Sequence, residues 1–183
     1  SSLLNSNINN QIFVYQAEIY PNTELNEAPY RKKHGIKTLK IELQETHCSP
    51  KELEWLKEYQ EIVVETYSMT QEDWKKRNLF SVALMVLHSF KVGFYVMNYL
   101  SNEMKIVGKD FIKFICDKTN RSKHPFIYTN IIKRIEDWSN NMLKGRGRPI
   151  LNLKYSDVYL DIETLIFLEM NIYLKKWSSL LTI

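Results

Sequence analysis

Cysteine, glycine and proline are all scarce in this chain of 183 residues, with two Cys, five Gly and five Pro. Cys48 and Cys116 are too few for a disulfide framework, which points to a reducing, intracellular setting, cytoplasmic or nuclear. The glycines form no Walker loop, no dinucleotide fingerprint and no phosphate cradle. A nucleophile elbow and a His-Glu-x-x-His helix are missing as well. Histidine is rare, and its neighbours do not suit zinc: His47 and Cys48 are adjacent, and Cys116 and His124 are eight apart. No metal, cofactor or catalytic residue is therefore assigned, and an enzyme remains open only with a site assembled from scattered residues. No charged-then-apolar leader opens the chain. Ser1 to Asn10 are polar and Asn-rich, which reads as a frayed start in a piece of something larger.

A long uncharged apolar run is also lacking. The nearest is Leu79 to Leu100, which carries His88 and Lys91 near its centre. A Lys at that depth costs about 2.5–3.5 kcal/mol on insertion, so the segment is expected to be buried core and no membrane span is expected.

What is present is ordinary globular composition, 44% hydrophobic and 25% charged. The net charge is +4, and its distribution is more informative than its size. From Glu42 to Asp73 nine acids face two bases, a net of −7; from Lys105 to Lys154 twelve bases face four acids, a net of +8. Such polarity implies two surfaces with different partners.

Hydrophobic patterning places the elements. Residues 12–20 are β-branched and aromatic, and 36–43 alternate as a half-buried strand. The two are expected to pair antiparallel, with a basic loop (Arg31, Lys32, Lys33, His34) between them. Ser49-Pro50-Lys51-Glu52 has the composition of a capping box with Pro at the first helical position. It predicts an acidic helix to about Tyr67, with Trp55, Tyr59, Ile62 and Val63 on its apolar face. Thr70-Gln71-Glu72-Asp73 is a second helix start, leading into the apolar segment with a break near Gly93. Ser101 starts a short helical piece, and 109–118 has helical spacing. Pro125 to Leu143 is the cleanest amphipathic helix and Lys144 to Pro149 ends it. Ser156 or Asp157 caps a last helix to about Trp177. The expected fold is α+β, predominantly α: a small N-terminal β element (1–48) followed by five or six helices around one core (49–183), in one continuous fold.

Gly145-Arg146-Gly147-Arg148-Pro149 resembles the core of an AT-hook, in which Gly allows close approach and Arg enters a narrow A/T minor groove. The likeness covers four or five residues. It has no Pro before Arg146 and no dense basic flanks, so phosphate contact by Arg146 and Arg148 is the reading carried forward. Ile150 to Val158, with Arg146 ahead of it, resembles the box after the first catalytic Arg of tyrosine recombinases. Pro149 stands where that family usually has an acid, and no His-x-x-Arg or nucleophilic Tyr in context follows. No recombinase role is carried over.

Basic residues interleaved with aromatics are the usual footprint of nucleic-acid binding. The sequence therefore favours a non-enzymatic DNA- or RNA-associated protein or subunit of a larger complex. Its candidate contacts are Arg121, Lys123, Lys133, Arg134, Lys144, Arg146 and Arg148. The alternative is a protein–protein adaptor docking through the acidic helix 50–67 or the apolar segment 79–100. Cys116 and His88 are read as core residues.

Overall fold

Three short runs rich in β-branched residues make the main sheet. In the computed structural model, which describes residues 10–52 and 55–172, these are β1 (Glu18–Ile19), β2 (Lys37–Glu42) and β3 (Tyr59–Glu65). Their order is β1-β3-β2, antiparallel throughout. The two expected strands thus do not pair with each other; each pairs with β3, and the ladder of the first contracts to two residues.

β3 replaces the C-terminal half of the expected acidic helix, and Lys51, Glu52 and 55–58 are irregular. The physical reason is in its side chains. Ile62, Val63 and Val64 are buried, and consecutive β-branched residues favour the pleated sheet over the helix. Charge pairing fixes the same choice. Lys37 lies opposite Glu65 and Lys40 opposite Glu61, and Lys37 Nζ reaches Glu65 at 2.6 Å. Trp55, expected on an apolar helix face, is exposed.

The basic run 31–34 is helical rather than a loop. It closes α1 (Ala28–His34), where Pro29 sits in the first turn and Gly35, at φ +60°, provides the left-handed cap.

The second helix start behaves as expected. Thr70 and Asp73 cap one another: the Asp73 N–H donates to Thr70 Oγ1 and the Thr70 N–H to Asp73 Oδ2, both at 3.2 Å. They open α2 (Gln71–Leu84), which continues as a π-helical turn, Met85–Ser89. Among the described residues no single helix is long and apolar enough to cross a membrane. The run ends at 90–93, where Lys91 takes φ +65° and the Gly93 N–H donates to Leu87 O at 2.8 Å. α3 (Phe94–Met104) absorbs Ser101 into its interior instead of starting there. α4 (Gly108–Cys116) and a 3-10 segment (Lys118–Lys123) follow.

The amphipathic run divides into α5 (Pro125–Ile127), a π turn (Tyr128–Ile132) and α6 (Lys133–Leu143). The wide turn lets the adjacent Ile131 and Ile132 both be buried, at 0% and 1% exposure. A hairpin of β4 (Ile150–Leu151) and β5 (Tyr159–Leu160) stands where the last helix was expected to begin. That helix, α7, spans Ile162–Ile172; its expected end at Trp177 lies outside the described residues.

The chain groups into two compact units. Unit one takes 1–13, 80–134 and 162–183; unit two takes 14–79 and 135–161. In unit one, Val86, Leu87, Phe94, Ile112, Ile115 and Ile166 are buried. Burial of each such side chain stabilises by roughly 1.5–3 kcal/mol. Ser89 ties the start of this unit down, accepting from the Ile12 N–H at 2.9 Å and donating to Ile12 O at 2.7 Å. In unit two the buried set includes Ile41, Ile62, Trp74, Ile135 and Met142. The architecture is α+β and predominantly α, with seven α-helices and one three-stranded antiparallel sheet among the described residues.

Candidate nucleic-acid interface

Charge follows the two units. Residues 80–134 hold nine bases against three acids, and 162–172 add only Glu163 and Glu169. Unit two has fourteen bases and sixteen acids. Among the described residues seven of its acids pair with bases of the same unit, in Arg31–Glu61, Lys37–Glu65, Lys51–Glu58, Lys57–Glu42, Lys75–Glu72, Lys76–Asp73 and Arg148–Glu18. The acidic middle of the sequence is therefore not a free acidic surface. The basic excess belongs to unit one.

Within unit one, α4 and the 3-10 segment bring cations onto aromatic rings. The Arg121 guanidinium lies 4.4 Å from the centroid of Tyr128, and Lys123 Nζ lies 5.6 Å from that of Phe114. Phe114 is exposed, as are Lys113 and Lys118. Local hydrogen bonds fix this geometry. Asp117 caps the 3-10 segment, accepting from the Thr119 N–H and hydroxyl, both at 2.8 Å. These bonds, with a smaller pull from Lys123, hold its carboxyl below the usual range. Asn120 is buried, donates to Phe114 O at 3.1 Å and accepts from Lys123 Nζ at 2.9 Å. Phe114 lies in the stretch 109–118, whose spacing is helical in the sequence. Its exposure follows from its place between Ile112 and Ile115, both buried on the other side of α4.

Lys133 is exposed at the start of α6. Arg134 beside it is committed to an ion pair with Glu169 of α7.

The remaining three candidates lie in unit two. Lys144 and Arg146 are exposed, and Arg146 donates to Asn141 Oδ1 at 3.2 Å. Arg148 is held on two sides: its guanidinium donates to Glu18 at 2.7 Å, and its carbonyl accepts from the Trp138 indole at 2.6 Å. Asp161 lies in the same electrostatic neighbourhood, where burial pushes its carboxyl up and the charges of Arg148 and His47 pull it down. Gly147 is pressed against Gln44; an added Cβ would stand 2.5 Å from Gln44 Oε1. The Gly-Arg-Gly-Arg-Pro segment is thus a packed loop with one Arg engaged, whereas a minor-groove hook needs both Arg side chains extended. The seven candidates therefore do not act as one group: Arg121 and Lys123 sit in a basic–aromatic cluster, Lys133, Lys144 and Arg146 are exposed, and Arg134 and Arg148 hold the fold together.

A cleft of about 130 Å3 in unit two is lined by Glu45, Cys48, Lys51, Trp55, Glu58 and Tyr159 among others. The Glu45 carboxylate at 3.4 Å from Cys48 Sγ raises the thiol pKa, which opposes thiolate chemistry. Among the described residues no three His, Cys, Asp or Glu are grouped to hold a metal.

No family model matches the chain, and no curated protein is significantly similar to it.

Proposed function

We propose that the protein is a non-enzymatic nucleic-acid-associated module that holds phosphates and unstacked bases on unit one. The observation that carries this reading is the pair of stacked cations, Arg121 on Tyr128 and Lys123 on Phe114, within the unit that holds the positive excess. Aromatic faces accept bases without regard to sequence, and flanking Lys and Arg neutralise the backbone. Single-stranded DNA or RNA suits such a surface better than duplex. Lys113, Lys118 and Lys133 extend the basic surface of unit one; Lys144 and Arg146, in unit two, are separate phosphate contacts of their own unit. Fluorescence anisotropy with labelled single strands tests the proposal. Arg121→Ala with Lys123→Ala is expected to weaken binding about tenfold or more at moderate salt. Binding unchanged by that double substitution contradicts it.

A second reading, a protein–protein adaptor, is favoured by one observation. The outer face of α3 exposes Tyr95 (79%), Val96, Tyr99 (61%) and Met104. Tyr95 and Tyr99 are four residues apart and neighbours on the helix surface. Of the two expected docking elements, 50–67 is not a helix, whereas the apolar segment 79–100 is mostly buried over 79–89 and supplies Tyr95, Val96 and Tyr99 to this face. Absence of any salt-dependent nucleic-acid binding in the intact protein leaves this second reading standing.

A further inference from the structure

One face of α2 carries hydrogen-bond donors with no acceptor among the described residues. Trp74, Arg77 and Asn78 stand at positions i, i+3 and i+4, so their side chains leave the helix on the same side. Trp74 and Asn78 are both 0% exposed. The Trp74 indole N–H, the Arg77 Nε–H and the Asn78 amide Nδ2 are buried without an acceptor among the described residues.

The neighbouring bonds fix the orientation of the cluster. Arg77 Nη2 donates to Gln16 Oε1 at 2.6 Å, and Gln16 Nε2 donates to Asn78 Oδ1 at 2.7 Å. Arg77 Nη2 also lies 3.5 Å from Asn78 Oδ1. Turning the Asn78 amide over would set its Nδ2 against both donors. The amide nitrogen therefore lies on the side of Asn78 turned away from Gln16 Nε2 and Arg77 Nη2, where it finds no oxygen among the described residues.

Three other part-buried arginines show what is missing. Arg31, Arg134 and Arg148 each have a carboxylate partner, in Glu61, Glu169 and Glu18. Arg77 has two amide oxygens and, among the described residues, no carboxylate. Burial lowers its pKa, as it does for a cation removed from water without a counter-charge. A buried charge is ordinarily paired, and buried polar groups are ordinarily satisfied.

We propose that the Trp74–Arg77–Asn78 face of α2 is a binding site for a small oxyanion, a carboxylate or a phosphate, whose oxygens receive these donors. The guanidinium supplies the charge, and the amide and indole supply directed hydrogen bonds. This site is separate from the basic–aromatic cluster of unit one and does not depend on it.

The test follows the Trp74 indole N–H by 15N-edited NMR on the full chain, assigned through the backbone. The intact protein is titrated with inorganic phosphate and, separately, with acetate, against sodium chloride at matched ionic strength. A saturable shift of the Trp74 indole with phosphate or acetate, absent with chloride, is the expected result. The anion giving the tighter saturation identifies the class. The Trp138 indole, already bonded to Arg148 O, is expected to stay in place. Arg77→Gln is expected to weaken the response by about tenfold or more, the scale of one charge-assisted hydrogen bond. Equal, non-saturating drifts in all three salts overturn the proposal, since buried water then suffices for these donors. An undiminished response in Arg77→Gln overturns it as well. The wild-type titration alone decides the matter if that variant does not fold.

Discussion

Glu61 is the residue at which charge and fold are most tightly joined. The Arg31 guanidinium donates to its carboxylate at 2.5 Å and the Thr38 hydroxyl at 3.1 Å. Chiefly through Arg31, and against the opposing pull of partial burial, its carboxyl is held below the usual glutamate range. A folded-state pKa below the unfolded one adds stability that is complete above the unfolded value. That stability is lost as the pH falls through the folded value. Both side chains are partly in water, so solvent screening limits the pair to about 0.5–1 kcal/mol. Glu61→Gln is expected to cost that much at pH 7 in urea denaturation, with the cost shrinking towards zero as wild-type Glu61 protonates. A pH-independent difference contradicts the assignment. Arg148 and Arg134 follow the same rule, each spending its charge on a carboxylate. A basic sequence motif therefore overstates the positive charge that reaches the surface.

At the scale of elements, β3 is the instructive case. Ile62 is fully buried and lies opposite Leu39 of β2 and Glu18 of β1. Ile62→Ala raises helix propensity and is nonetheless expected to destabilise by about 2–5 kcal/mol in the same denaturation assay. A stabilised variant would falsify the strand assignment. The sequence misleads here for a definite reason. Glu61 and Glu65, four apart, share one face of a helix and also one face of a strand, so their spacing serves both periods. The capping-box composition at Ser49 then tips the reading towards helix, although local propensity is overridden by pairing with a distant strand. Where the signal is local, the sequence is clear: the Thr70–Asp73 cap, the α4 pattern and the stop at Gly145 are all legible. The β4–β5 hairpin is not, because two-residue strands carry no period. The candidate site is legible as composition, since Arg121, Lys123 and Tyr128 are recognisable as a basic–aromatic mixture. The pairing of Arg121 with Tyr128 and of Lys123 with Phe114 requires the turn at Asp117, which no spacing rule announces. The donor face of α2 is equally hidden, because its character depends on which acceptors the fold fails to provide.

At the scale of the whole molecule, charge is sorted by unit rather than by stretch of sequence. Unit two holds nearly equal numbers of acids and bases, while the positive excess resides in unit one. A net charge of +4 understates the field that a polyanion would meet there. The central claim is that this excess meets phosphates, and the salt dependence of binding to single strands tests it most directly. Each phosphate neutralised contributes a slope of about −0.7 to the plot of log affinity against log salt. Three to five cations of unit one in contact correspond to a slope of roughly −2 to −3.5, reduced in the Arg121→Ala, Lys123→Ala protein. A slope indistinguishable from zero, or one the double substitution leaves untouched, contradicts the account.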